Sequence, residues 1–482
     1  MTHHGPRAGR SGHISGGEDR WSLVVAAGVL AFVAMLDMNI VNVALADLAD
    51  GLHVSTATAQ WAVLGYQLPV VALLLPVGRW LDGVGLRSAV LTATCGFGLC
   101  SALAAAAPWM AWLIAARLLQ GACGAVLFVL MPVLAIRAVR PELRGRAMSV
   151  PATLGPLGAV IGPAVGGLLL DHWGWRSVFL VKIPFCVLAL VLAWRVMPRD
   201  GGLRRPDLRL VADALLVASG VAVLLLALTL AAGRPSWLVL AGAAVPMLWW
   251  WLRGPGGRPA AGLLRSAGLF RAHGAVLALA AGFAAMHYVV AQHLQRDDGV
   301  SATTTGLTVL AFPLGMGLAG PLGGRIADLP QALGSAQAGG TPIGARPVAV
   351  AGAALTAAGL LLLVPLGDGW SPLDVAWRLA LAGVGLGLNG GPTQALVMSA
   401  APPDRAATVG STVQFARSLG FALGPALATG AWGLSGPGAG VRAGLALAAT
   451  AACLAVPLLA LTGSGLGPLP EKTTDAAAAA HD

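Results

Sequence analysis

Charge is scarce in this chain. Of its 482 residues only 10% are charged, against 57% hydrophobic. An ordinary soluble domain carries about 25% charged residues, so this chain cannot cover a water-facing surface. A soluble enzyme, a nucleic-acid binder and a disordered scaffold are thereby excluded. Lysine is rarer still: Lys182 and Lys472 are the only two, and neither follows a glycine-rich phosphate loop. Without an ATPase cassette, uphill movement of anything must be driven by an ion gradient or a partner. The five cysteines (Cys95, Cys100, Cys123, Cys186, Cys453) are scattered through apolar segments, which suggests neither a disulfide framework nor a metal site. No cofactor and no catalytic set of residues is expected. A cleavable signal peptide is not expected either, because the first apolar run, from Trp21, is about 25 residues long and a signal core is 7–15.

What the chain does have is long apolar runs. They lie at about 21–46, 57–78, 88–107, 109–136, 147–170, 175–197, 210–232, 235–252, 271–293, 303–324, 347–366, 373–400, 406–431 and 439–465. Fourteen crossings at roughly 20 residues each would use about 280 residues, which fits the hydrophobic fraction. The expected fold class is an all-α polytopic membrane protein, since the alternating strands of a membrane barrel are absent. With the N-terminus inside, 22 Lys and Arg fall in inner segments and five in outer ones, with Arg117, Lys182 and Arg417 left within spans. By the positive-inside rule both termini are cytoplasmic, in the cell membrane.

The chain also echoes itself. Gly78-Arg-Trp-Leu-Asp82 follows the second span and Gly324-Arg-Ile-Ala-Asp328 the tenth; Gly158-x-x-x-Gly162-Pro163 in the fifth recurs as Gly420-x-x-x-Gly424-Pro425 in the thirteenth. This predicts a tail at 1–20, a six-helix bundle at 21–198, a linker at 199–270 carrying two inserted helices, a second six-helix bundle at 271–465, and a tail at 466–482. Duplicated halves around a central site are how many secondary transporters are built.

Ionisable groups inside spans are costly and therefore functional candidates. Asp37 lies about 13 Å below the outer surface, Arg117 about 12 Å and Lys182 about 10 Å, at 1.5 Å per helical residue. Three helices thus present charges at one depth. Desolvation favours a neutral acid and a nearby cation favours its carboxylate, so moving helices could load and unload a proton at Asp37. A static ion pair is the alternative. The glycines from Gly158 to Gly167 allow close helix packing, and Pro163 removes a backbone hydrogen bond. Asp82, Arg79 and Arg87 lie in a short loop where Gly85 permits a tight turn; the carboxylate there either caps a helix or arginine as an inner latch or serves only as a topology anchor. Further polar candidates within spans are Gln60, Tyr66, Gln67, His287, Asn389 and Gln394. The stretch Gly385-Leu-Gly387-Leu-Asn-Gly390 mimics a dinucleotide fingerprint but has no strand before it, so it reads as helix packing.

These stretches resemble the signature motifs of the major facilitator superfamily, in particular its fourteen-helix drug–proton antiporter branch of the QacA/EmrB type. Leu36-Asp37-Met-Asn39-Ile-Val-Asn42-Val-Ala44-Leu45 is similar to that branch's first-helix motif, whose acid is implied to couple protons. Gly78, Asp82, Gly85 and Arg87 match the family's cytoplasmic gate motif. Arg117-Leu-Leu-Gln120-Gly121 matches its fourth-helix motif, implicated in proton transfer. Gly158, Gly162, Pro163, Gly166 and Gly167 match the fifth-helix motif that marks antiporters. The resemblance covers essentially the whole chain and implies two six-helix bundles plus two inserted helices. It departs at Gly83 and Leu86, where basic residues are usual, and at Lys182, where asparagine is frequent.

The expected function is proton-coupled export of small amphipathic organic molecules, including drugs, by a transporter working as a monomer in the lipid bilayer. Asp37 and Arg117 would handle the proton. Asn39, Asn42, Gln60, Tyr66, Gln67, Gln120, Lys182, His287, Asn389 and Gln394 would line the substrate cavity. Lys182 makes that cavity less negative, which favours neutral, zwitterionic or anionic compounds over polycationic dyes. A dedicated metabolite exporter or proton-coupled uptake carrier of the same fold is the first rival, and an intramembrane lipid-modifying enzyme a remote one.

Overall fold

The computed structural model describes residues 19–462 except 201, 205–206, 232–234, 256, 267–268, 333–343, 368 and 436–438. The tails and most of the loop at about 329–346 therefore lie outside the described residues. Fourteen long helices occupy the fourteen expected runs: α1 (Trp21–Val43), α2 (Trp61–Leu81), α3 (Leu86–Ala105), α4 (Met110–Arg137), α5 (Arg144–Trp173), α6 (Ile183–Val196), α7 (Leu208–Ala231), α8 (Val239–Arg253), α9 (Phe270–Gln292), α10 (Ala302–Ala332), α11 (Ala345–Leu361), α12 (Pro372–Ser399), α13 (Ala406–Ser435) and α14 (Gly440–Ala460). Among the described residues, nine helical stretches are both long and apolar enough to cross a membrane by length and composition. No strand occurs among them, as a lipid environment requires when every backbone group must be satisfied within its own helix.

Local chemistry explains several boundaries. Ser371 and Asp374 start α12 with a reciprocal capping box, the Asp374 amide donating to the Ser371 hydroxyl at 3.2 Å and the Ser371 amide to the Asp374 carboxylate at 3.0 Å. The first span ends at Val43, earlier than expected, and a separate short helix, Leu45–Gly51, follows. Ahead of α6, the short helix Ser177–Leu180 is separated from Ile183 by Val181 and Lys182. Pro184 has no amide to donate across that break. By contrast α5 runs unbroken through Pro151, Pro156 and Pro163. A short helix at Arg258–Ser266, which no apolar run announced, links α8 to α9.

The helices form two bundles. In the first, α1 packs on α5, α2 on α4, and α3 on α4 and α6; in the second, α9 packs on α13 and α14, and α10 and α11 on α12. The inserted α7 packs on α8, on α2 and on α13, so it straddles the junction of the halves. Apolar packing joins the halves at one end, where Leu81, Val133, Val397, Ala407 and Val413 belong to one cluster. Farther along the bundle the cores separate, into one around Ile40, Leu113 and Phe179 and another around Leu279, Phe312 and Leu445. The joined end is the arginine-rich one. Both described chain ends lie there: the Arg20 amide donates to the Ala138 carbonyl at 2.8 Å, and the Arg271 guanidinium donates to the Leu461 carbonyl.

Asp200 ties the linker to this end. Its carboxylate accepts from the Arg87 and Ser88 amides in the first turn of α3, and from the Ser88 hydroxyl at 2.7 Å. Partial burial opposes its charge, but the Ser88 hydroxyl and the amides of Arg87, Ser88 and Gly202 outweigh that and hold the carboxyl below the usual range. A depressed acid stabilises the fold above its unfolded value, near pH 4, and loses that contribution as pH falls further. Replacing Asp200→Ala should remove a helix cap and cost about 1 kcal/mol, read as a lower melting temperature at pH 7. The wild-type and variant curves should converge as the pH drops below about 4.

Candidate functional site

The three charges expected at one depth are in contact. Asp37 on α1 is fully buried, as are Arg117 on α4 and Lys182 at the break before α6. Arg117 Nη1 donates to both Asp37 oxygens, at 2.7 and 3.0 Å, and to Gln120 Oε1 at 2.9 Å. Its Nε donates to the Ala62 carbonyl at 2.7 Å. Lys182 Nζ donates to Asp37 Oδ1 from the other side. The Arg117 guanidinium lies 4.5 Å from the centre of the Tyr66 ring, and Lys182 Nζ 4.8 Å from that of Phe179. Such ring faces attract a cation most strongly where water is excluded. One carboxylate is thus shared by a cation on α4 and one at the break before α6, a cluster of net charge +1.

The remaining cavity candidates divide. Gln120 belongs to the charge cluster. Tyr66 is fully buried beneath Arg117, with its ring edge-on to Phe97 at 6.1 Å, and so does not face open space. Asn39 and Asn42 donate back to the Met35 and Met38 carbonyls within their own helix. Gln60 is exposed immediately before α2, and Gln67 is half-buried within that helix. Asn389 is buried inside the second half, donating to the Ala349 carbonyl at 2.7 Å. His287 is exposed and lies 5.8 Å from the Phe283 ring. Gln394 accepts from Arg417 at 3.3 Å.

The loop motif serves two separate purposes. Asp82 reaches across to the other half, where it accepts from the Ala407 and Thr408 amides at 2.9 and 3.2 Å and from the Thr408 hydroxyl. These are free amides in the first turn of α13, which favour a negative charge. Burial nevertheless pushes its carboxyl above the usual range, against the pull of those donors and of Arg137. A Cβ at Gly78 would run into Ser411 and come within 2.9 Å of the Ala407 carbonyl, so this glycine sets the close approach of α2 to α13. Gly85 and Arg87, in contrast, contact only the first half and its linker. Gly85 has an ordinary extended conformation (φ −62°), so its role is not the tight turn expected. A Cβ there would instead collide with Asp200. Arg87 donates to the Trp194 carbonyl at 3.1 Å.

Asp328, in the repeated motif, mirrors Asp82. It accepts from the Gly145 and Arg146 amides at 2.9 and 2.7 Å, in the first turn of α5. The glycine motif of α5 packs against α1, the helix that carries Asp37: a Cβ at Gly162 would lie 3.2 Å from the Ile40 amide nitrogen, and one at Gly166 3.0 Å from Ile40 Cγ1. Gly158 meets the Phe32 backbone in the same way, whereas Gly167 faces open space and Pro163 is exposed. Gly420 and Gly424 repeat the arrangement between α13 and α9. Sequence reasoning passed over Thr408 and Asp200, whose importance lies in contacts far along the chain, and gave Arg417 no role.

The Major Facilitator Superfamily profile matches residues 27–425 and, in an overlapping match, 272–478. Methyl viologen resistance protein SmvA of Salmonella typhimurium is 29% identical over 418 residues, covering 85% of this chain and 81% of that protein. Multidrug resistance protein Stp of Mycobacterium tuberculosis is 29% identical over 420 residues, covering 83% and 74%. The solved structure of the human organic anion transporter MFSD10 superposes with a TM-score of 0.64 at 17% identity, covering 92% of this chain and 100% of that one. At that identity the likeness concerns the fold alone.

The hydrogen bonds of the cluster set an order of stability. Arg117→Met leaves a neutral Asp37–Lys182 pair but strips the buried Ala62 and Gln120 oxygens of their donor, at about 1–3 kcal/mol for each group left unsatisfied. Lys182→Met leaves a neutral, hydrogen-bonded Asp37–Arg117 pair and should cost less. Thermal melts of the detergent-solubilised variants should place Lys182→Met between the wild type and Arg117→Met. The reverse order would contradict the assignment of Arg117 as the principal partner.

Proposed function

The chain belongs to the Major Facilitator Superfamily, a family of transporters rather than enzymes, and on that premise we propose that it exports small amphipathic organic compounds in exchange for protons. The observation that carries this reading is the shared carboxylate. Asp37 is the one acid near mid-depth among the described residues, and its cations stand on α4 and at the break before α6. A proton on Asp37 cancels the attraction that holds α1 to α4 and to the start of α6. Loss of that proton restores it. Protonation and helix position are therefore linked, which is what coupling requires.

The latches supply the conformational side. Asp82 and Asp328 each cap a helix of the opposite half, both at the arginine-rich end. The positive-inside rule assigns that end to the cytoplasm, so this conformation is closed to the inside. Opening inward means breaking both caps while the opposite end closes, the rocking of two bundles about a central site. The relatives' names point to drugs as cargo. Methyl viologen is a dication, however, and Lys182 leaves the interior of this chain positive, so its own cargo is neutral, zwitterionic or anionic.

The test combines a growth-inhibition panel of charged and neutral antibiotics, with and without expression, and efflux from vesicles under an imposed pH gradient. Expression should raise tolerance to a subset of compounds, and a gradient should drive their movement. Asp37→Asn strands two buried cations and is expected to be less stable; compared at equal amounts of folded protein, it should abolish gradient-driven movement. Full coupling in that variant would remove Asp37 from the mechanism.

A further inference from the structure

Arg417 is the charged residue of the interior that the coupling cluster does not use. It lies eleven residues into α13, about 16 Å along the helix and so near the middle of a roughly 30 Å hydrocarbon layer. Unlike Arg117, it is only half-buried. Its guanidinium makes one hydrogen bond, from Nη2 to the Gln394 side chain of α12 at 3.3 Å, and no carboxylate lies within ion-pair distance among the described residues. A guanidinium carries five N–H donors in a planar fork, so most of its donor capacity is uncommitted. An unmatched cation at that depth is too costly to face lipid and belongs in a water-filled cavity.

An aromatic group begins one helical turn from Arg417. Phe421 stands one turn farther along α13, on the same face as Arg417, and its ring lies 5.9 Å from that of Phe283 on α9. Phe283 in turn lies 4.8 Å from Phe312 and 5.8 Å from the exposed His287. Phe283 and Phe421 are both half-buried, which leaves ring surface open. Across the bundle, the one acid at this depth is already matched by two cations. A positively charged guest would therefore find no free carboxylate among the described residues of this layer, whereas an anionic guest would find a guanidinium with uncommitted donors one helical turn from the ring of Phe421.

We infer that Arg417 is the specificity-determining residue of the cavity and that the cargo is an aromatic acid, its anionic group on the Arg417 fork and its ring against Phe421 and Phe283. This rests on the export reading and narrows its substrate class. An inside-negative membrane potential pushes an anion outward and a proton inward, so both halves of such an exchange run with the field.

The test is equilibrium binding of three probes of one shape to the purified full-length protein in detergent: 2-naphthoate, its methyl ester and 2-naphthylmethylammonium. The wild type should bind the acid about 10- to 100-fold more tightly than the ester, the range for a charge-assisted hydrogen bond, and the ammonium most weakly. Arg417→Gln should erase that preference while changing ester affinity less than about threefold, and Arg417→Lys should keep part of it. A wild type that binds acid and ester equally, or an Arg417→Gln variant that weakens all three probes alike, overturns the assignment. Because binding is read without transport, failure of the export reading is separable: acid preference without pH-driven efflux of 2-naphthoate from vesicles leaves Arg417 in place and removes the exchange.

Discussion

One carboxylate held between two cations at mid-membrane depth is the constraint around which the first half is arranged. Burying Asp37 as a charge is tolerable because Arg117 donates to both its oxygens and Lys182 reaches it from the other side. Those side chains must arrive from α4 and from the break before α6, and the packing of α1, α4 and the start of α6 follows. The glycines of α5 are part of the same arrangement, since they let α5 press directly on the backbone of the helix that carries the acid. A residue larger than glycine at Gly158 or Gly162 would push α1 toward its ion-pair partners or away from them.

A second device recurs three times at the arginine-rich end. Asp82, Asp200 and Asp328 each accept from two amides in the first turn of a helix distant in sequence. Two of these caps cross between the halves and one ties the linker to α3. A cap across an interface breaks all at once when the helices part, which suits a structure with two discrete arrangements better than a continuous apolar seam. The inserted α7 adds the Arg79–Asp213 contact at 3.4 Å and lies against both halves.

Much of this was legible from the chain alone, for identifiable reasons. Hydrophobic runs of the right length can only be helices in lipid, so a helix lies within each expected run, with the first ending early and the sixth broken before Ile183. The depth of Asp37, Arg117 and Lys182 follows from counting residues along helices, and the equivalence of Asp82 and Asp328 from the repeated motif. Partners at equal depth were harder to separate. Counting gave no reason to pair Lys182 with Asp37 rather than with solvent, or to leave Arg417 unpaired, because rotation about a helix axis is not encoded in depth. Tyr66 looked like a cavity aromatic and proved to lie beneath a guanidinium. Gly85 looked like a turn glycine, yet it makes room for Asp200, a contact 115 residues away in sequence that no local pattern reveals.

In the proposed exchange, Asp37 gives up its two cations for a proton as the protein changes conformation. Infrared difference spectroscopy on the purified protein, recorded as pH is lowered and then as substrate is added, reports it most directly, with Asp37→Asn as the reference. A protonated carboxyl band should appear on acidification, be reversed by substrate and be missing in Asp37→Asn. A carboxylate at Asp37 that stays ionised throughout would make the cluster a fixed brace and rule out proton exchange at this site.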